Sequence, residues 1–187
     1  GGMFVPPHPH TGLQTVSWLY EGQIEHRDST GAHQLVEPGA VNLMTAGRGI
    51  QHSEVSTTAA AQLHGVQLWT ALPEASRHVS PFFEHHVAEV VPFGEATLRV
   101  FVGTWLGVSS PVAAFTPLVA AELTLPAGAS VELPADPSFE YGLVVDAAPA
   151  RMQGVGIPAH HLGYAPPGAE TLRIEAVDAA LRVIVIG

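Results

Sequence analysis

The chain has 187 residues, 47% hydrophobic and 13% charged, a balance that marks a core-rich folded protein and excludes intrinsic disorder. Seven basic residues, all arginine, against 17 acidic ones give a formal charge of −10, which repels phosphate backbones and argues against direct nucleic-acid binding. The absence of cysteine removes disulfides, thiolate ligands and cysteine nucleophiles together. With no signal peptide and no apolar run of membrane-spanning length, the expectation is a soluble cytoplasmic protein without a membrane partner.

Helical periodicity is almost nowhere sustained, and short apolar runs with two-residue alternation dominate. After His8-Pro9-His10, strands are expected over Gln14 to Tyr20, Gln23 to Asp28, Gln34 to Glu37 and Ala40 to Met44. Glu21-Gly22, Ser29-Thr30-Gly31 and Pro38-Gly39 separate them as turns. A loop at Thr45-Ala46-Gly47-Arg48-Gly49 leads into a strand from Ile50 to Val55, and Gln62 to Thr70 is the next, closed by Pro73. Phe82 to Val91 and Thr97 to Val102 continue the pattern.

Ser109-Ser110-Pro111 and Thr116-Pro117 mark a connector. Beyond it, strands are expected at Ala121 to Leu125, Ser130 to Leu133, Tyr141 to Val145, Gly154 to Ile157, His160 to Ala165, Thr171 to Glu175 and Leu181 to Ile186. Such a series predicts an antiparallel sandwich or barrel, repeated in two blocks at residues 1–106 and 107–187. Gly1-Gly2-Met3-Phe4 runs almost directly into the histidine pair and the last strand stops at Gly187, so the natural polypeptide is expected to extend beyond both ends.

The chemistry lies in two pairs of potential metal ligands, His8 with His10 and His52 with Glu54. In a strand, side chains at i and i+2 share a face, so each pair presents both groups to one interior. If the two strands face each other, three imidazoles and one carboxylate meet, a set suited to a first-row divalent metal. Four protein ligands leave up to two octahedral positions open for water, dioxygen or a chelating substrate. His85-His86 and His160-His161 are adjacent pairs whose members point to opposite faces. No His-x-His or His-x-Glu follows residue 54, so the second block is expected to hold no metal.

These motifs resemble those of pirin, a bicupin of the cupin superfamily. The resemblance is carried by His8-Pro9-His10, Tyr20-Glu21-Gly22, Glu25-His26-Arg27-Asp28-Ser29, Pro38-Gly39, Met44-Thr45-Ala46-Gly47-Arg48-Gly49-Ile50 and His52-Ser53-Glu54. His64-Gly65, Gln67-Leu68-Trp69 and Leu72-Pro73 extend it, and it runs more loosely to Gly187. It implies an all-β fold of two tandem cupin (jelly-roll type) barrels, with the metal in the first. Carried over residue by residue, the family's ligands fall on His8, His10, His52 and Glu54. The resemblance implies one divalent ion, iron(II) by preference, with Mn, Ni, Cu, Co or Zn as alternatives. The chain departs from the family at Gln14, where a glutamate is usual, and at Thr11 and Leu13, where arginine and phenylalanine are usual. By parity with the histidines, Gln14 is expected beside the metal as a neutral hydrogen-bond partner.

Two functions follow from the resemblance. One is a quercetin (flavonol) 2,3-dioxygenase that opens the central ring with O₂, with Glu54 the only carboxylate placed to take the substrate's hydroxyl proton. The other is a regulator without turnover, whose metal state is read by a transcription factor or metabolic enzyme. A scaffold with an adventitious ion is the blandest reading. Arg48 suits either an anion contact or a loop brace, and Gly47-Arg48-Gly49 is too short for a phosphate loop. His26 and Asp28 share a strand face and are expected on a solvated hairpin. Trp18 has the parity of the histidines and is weighed between pocket lining and core.

Overall fold

The computed structural model describes residues 2–58 and 61–187. Among them there is no helix, so none is long and apolar enough to cross a membrane. The first eight strands are β1 (Phe4–His10), β2 (Leu13–Glu21), β3 (Ile24–Asp28), β4 (His33–Val36), β5 (Ala40–Thr45), β6 (Ile50–Ser56), β7 (His64–Ala71) and β8 (Phe82–Val87). They form two antiparallel four-stranded sheets, ordered β1-β6-β3-β4 and β7-β2-β5-β8.

The local sequence explains where the site-bearing strands lie. β1 contains Pro6, Pro7 and Pro9, which cannot donate to a ladder, and it sits at a sheet edge with a register shift between Val5 and His8. β2 and β5 are buried along nearly their whole lengths, as expected of the two inner strands of their sheet. Trp18 is completely buried there, which settles it as core rather than pocket wall.

The remaining strands are β9 (Val91–Phe93), β10 (Ala96–Trp105), β11 (Val108–Ser109), β12 (Val119–Leu125), β13 (Ser130–Pro134), β14 (Tyr141–Val145), β15 (Ala150–Met152), β16 (Val155–Ile157), β17 (Leu162–Ala165), β18 (Thr171–Ala176) and β19 (Leu181–Ile186). One sheet runs β11-β10-β12-β19-β14-β17, with β9 on β10, and the other runs β13-β18-β15-β16. A single apolar cluster, including Leu123, Leu133, Leu143, Leu172, Ile174 and Val183, fills the space between them.

The two compact units divide differently from the expected 106/107 boundary. The first comprises the chain up to Ala88 together with Val112–Thr116, and the second Glu89–Pro111 with Pro117–Gly187. β10 belongs to the second because it pairs with β9 and β12. Residues 112–116 belong to the first because the Ala113 amide donates to Glu84, and its carbonyl accepts from Gln14. The single strand expected over Phe82 to Val91 is accordingly two, β8 and β9, one in each unit.

The loop between β5 and β6 sets the start of the ligand-bearing strand. Gly47 holds φ at +50°, its carbonyl accepts from Gly12, and a Cβ there would collide with the backbone carbonyl of Val79. Gly31, at φ +94°, has open space around it. Gly47→Ala is therefore expected to lose more stability than Gly31→Ala, which meets only the conformational penalty of about 1 kcal/mol. Urea unfolding of both variants checks this, and equal losses would show that the Val79 contact does not matter.

Candidate metal centre

β6 runs between β1 and β3, and its register builds the site. His52 lies opposite His8 on one side and Asp28 on the other, while Glu54 lies opposite His26. His52 is 2% exposed, His26 2% and Glu54 6%, whereas His8 and His10 are half-buried. The cluster thus has a buried floor and a solvent-accessible side at β1.

The three imidazoles of His8, His10 and His52 converge through their Nε2 atoms. His52 Nε2 is 3.0 Å from His8 Nε2 and 3.1 Å from His10 Nε2. Nitrogens on neighbouring corners of an octahedron with bonds of about 2.1 Å stand about 3.0 Å apart, against about 3.4 Å in a tetrahedron. The two distances therefore fit His8 and His10 each standing on a corner next to His52 around a six-coordinate ion. The tautomers fit as well: His8 Nδ1 lies 3.0 Å from the Pro6 carbonyl, which can only accept, so the lone pair of His8 is on Nε2. With a lone pair on each Nε2 the three nitrogens would repel at this distance, and a cation between them would remove the repulsion.

Glu54 is not in the same tight group. Its carboxylate meets His52 and His26 in a second cluster that shares His52 with the first. The amide of Gln67, on β7, donates to both carboxylate oxygens at 3.1 and 3.2 Å and also reaches Ser17 Oγ at 3.2 Å. Two residues on, the Trp69 ring lies 5.3 Å from the His10 ring and nearly perpendicular to it, and is 64% exposed.

Comparison with known proteins places the chain in a family. The Pirin family model matches residues 2–70. A pirin-like protein of Caulobacter vibrioides is 30% identical over 97% of this chain and 68% of its own length. The chain belongs to the pirin family.

A Pseudomonas aeruginosa protein with the provisional name quercetin 2,3-dioxygenase is 38% identical over the whole chain. A crystal structure of quercetin 2,3-dioxygenase from Acinetobacter baumannii superposes with a TM-score of 0.93 at 39% identity, over 98% of this chain. The chain spans 59% of the first of these proteins and 62% of the second. The fold class is the one expected, an all-β pirin-type bicupin.

Burial in the cluster favours the neutral imidazole at His52 and His10. Burial pushes the His52 imidazole down to about 3, helped by repulsion from His26, His8 and His10 and opposed by Asp28. His10 is lowered for the same reasons, burial first and then His8, with Glu54 opposing. Burial raises the Asp28 carboxyl, but hydrogen bonds from Thr30, His26 and the backbone amides of Thr30 and Ala32 outweigh it and hold the group below its ordinary value.

Three residues, Gln14, His26 and Asp28, depart from their expected places, while Arg48 takes one of its two expected roles. Gln14 does not reach the histidines, because Thr11-Gly12 interrupts the strand and parity does not carry from β1 to β2. Its amide nitrogen instead donates to Thr45 Oγ1 and to the Ala113 carbonyl, both at 2.9 Å. A carboxylate there would face a carbonyl oxygen without a proton to offer, so the amide suits this pocket. Arg48 is a loop brace, its guanidinium on Ser80 Oγ and its amide on the Val79 carbonyl. His26 and Asp28 are buried rather than solvated, with the Phe83 ring stacked on His26 at 4.4 Å.

Sequence reasoning missed Gln67 as the partner of Glu54 and Trp69 as the aromatic beside His10. The only signal was their i, i+2 spacing on β7, which says nothing about the strand they face.

The depressed His52 value sets a pH dependence in the metal-free protein. Between its folded value near 3 and the ordinary value near 6.5, the unfolded chain binds more protons, so stability is full above about pH 6.5 and falls on acidification. Thermal melts of metal-free protein from pH 7.5 to 5 are expected to show Tm falling, with a shallower fall in His52→Gln. Identical slopes would remove His52 as the cause.

Proposed function

We propose that this chain carries a pirin-type mononuclear metal centre held by His8, His10, His52 and Glu54, and that the protein acts on flavonols as a 2,3-dioxygenase. The observation that carries the metal reading is the convergence of His8 and His10 on His52, with Nε2 atoms 3.0 and 3.1 Å from His52 Nε2. The names of the Pseudomonas and Acinetobacter relatives support the substrate class. A bound first-row divalent metal, iron(II) by preference, would supply Lewis acidity and a path for electrons to O₂.

The protein's own groups have distinct tasks in this reading. Glu54, as the carboxylate of the site, takes the proton of the flavonol hydroxyl onto a carboxylate oxygen. Gln67 holds that carboxylate in place by bonding both oxygens. The exposed Trp69 ring beside His10 offers a contact for a flat aromatic ring, and stacking on it would orient the substrate at the open side of the cluster. Oxygen-electrode assays with quercetin are expected to show uptake that is lost on chelation, restored by metal, and reduced by about 100-fold or more in His10→Ala. Uptake that survives both chelation and His10→Ala would overturn the dioxygenase reading.

A second reading, a regulator that binds a protein partner, is favoured by the formal charge of −10, which suits a basic protein surface and opposes nucleic acid. It predicts capture of a partner that depends on Fe(III) over Fe(II), with no turnover of any flavonol. Capture indifferent to the metal's oxidation state would count against it.

A further inference from the structure

The metal reading leaves two buried side chains on β3, His26 and Asp28, without a task. We propose that Asp28, His26 and His52 form one hydrogen-bonded line that turns the Nε2 lone pair of His52 toward the metal, with His26 a positioning residue and not a ligand. This rests on the metal-centre reading above.

The direction of every bond in the line follows from its two ends. At one end, a cation held among the Nε2 atoms of His8, His10 and His52 requires a lone pair on His52 Nε2 and hence its proton on Nδ1. That Nδ1 lies 3.4 Å from His26 Nδ1, which must then accept. A neutral His26 accepting at Nδ1 carries its proton on Nε2, and that atom lies 3.0 Å from Asp28 Oδ2. At the other end, Asp28 Oδ1 accepts from Thr30 N at 2.8 Å, Thr30 Oγ1 at 2.6 Å and Ala32 N at 3.3 Å. The β3–β4 hairpin thereby fixes the carboxylate with Oδ2 free to receive His26. No atom is asked to donate twice or to accept without a donor.

Packing holds the line rigid. Phe83 stacks on His26 with ring planes 25° apart, and both side chains of the His26–Asp28 pair are buried. The competing arrangement makes His26 a ligand with Glu54 and His52. It would place a second cation between the two Nδ1 atoms, so that His52 served one ion at each nitrogen. The Asp28 contact and the apolar Phe83 lid favour a hydrogen bond over a second buried ion.

The test uses the full chain labelled with ¹⁵N and zinc(II) as probe. Long-range ¹H–¹⁵N NMR reports which nitrogen of His52 carries the proton, and chelator competition gives zinc affinity. His52 is expected to be protonated at Nδ1 with and without zinc. His26→Phe, which keeps the stacking but cannot accept, is expected to weaken zinc binding about 10- to 100-fold. His26→Gln, whose carbonyl oxygen can accept, recovers part of that loss.

Protonation of wild-type His52 at Nε2 would overturn the line. So would unchanged zinc affinity in His26→Phe, or two zinc ions per chain with one on His26 Nδ1. Failure of the wild type to take up zinc would instead sink the metal-centre reading, while the tautomer of metal-free His52 still decides the line.

Discussion

The register of β6 between β1 and β3 is the constraint on which the site depends. Two antiparallel ladders place His8, His52 and Asp28 in one cross-strand row and Glu54 and His26 in the next. Cross-strand neighbours stand close enough for side chains to touch, and the side-chain period of two puts all five groups on one face. A slip of one residue in the β1–β6 ladder would turn His8 to the opposite face, and one in the β3–β6 ladder would turn His26 and Asp28. The prolines of β1 keep that strand at the edge, so the two half-buried histidines sit where solvent and small molecules can reach them.

The two units divide their labour by polarity. Among the described residues, every buried polar or charged side chain except Asp146 belongs to the first unit: Gln14, Thr15, Ser17, His26, Asn42, Thr45, His52 and Glu54. Burying such groups is costly unless each has a partner, and no buried side-chain nitrogen or oxygen in the described structure lacks one. The second unit is filled by one continuous apolar cluster. A polar interior of this kind restricts each imidazole to one orientation, which a metal ligand needs.

Gln14 shows how this partnering shapes a departure from the family's usual residue. Its amide bridges Thr45 and the Ala113 carbonyl, tying the segment at 112–116 to β2 and β5 within the first unit. A donor is required there, and glutamate at neutral pH has none. The carboxylate in the histidine cluster is Glu54, whose two oxygens the Gln67 amide holds.

Much of this was legible in the sequence for a local reason. Strand parity paired His8 with His10 and His52 with Glu54, and alternation of apolar residues located most strands to within two or three positions, because both are properties of a chain segment by itself. Parity failed at Gln14, where Thr11-Gly12 breaks the strand, and periodicity could not divide Phe82 to Val91 between two units. Adjacency was decided only by the tertiary structure: that β3 flanks β6 and buries His26 and Asp28, that β7 brings Gln67 to Glu54 and Trp69 to His10, and that β10 joins the second unit. Which strands become neighbours is settled by long-range pairing and shared burial, and no single segment encodes it.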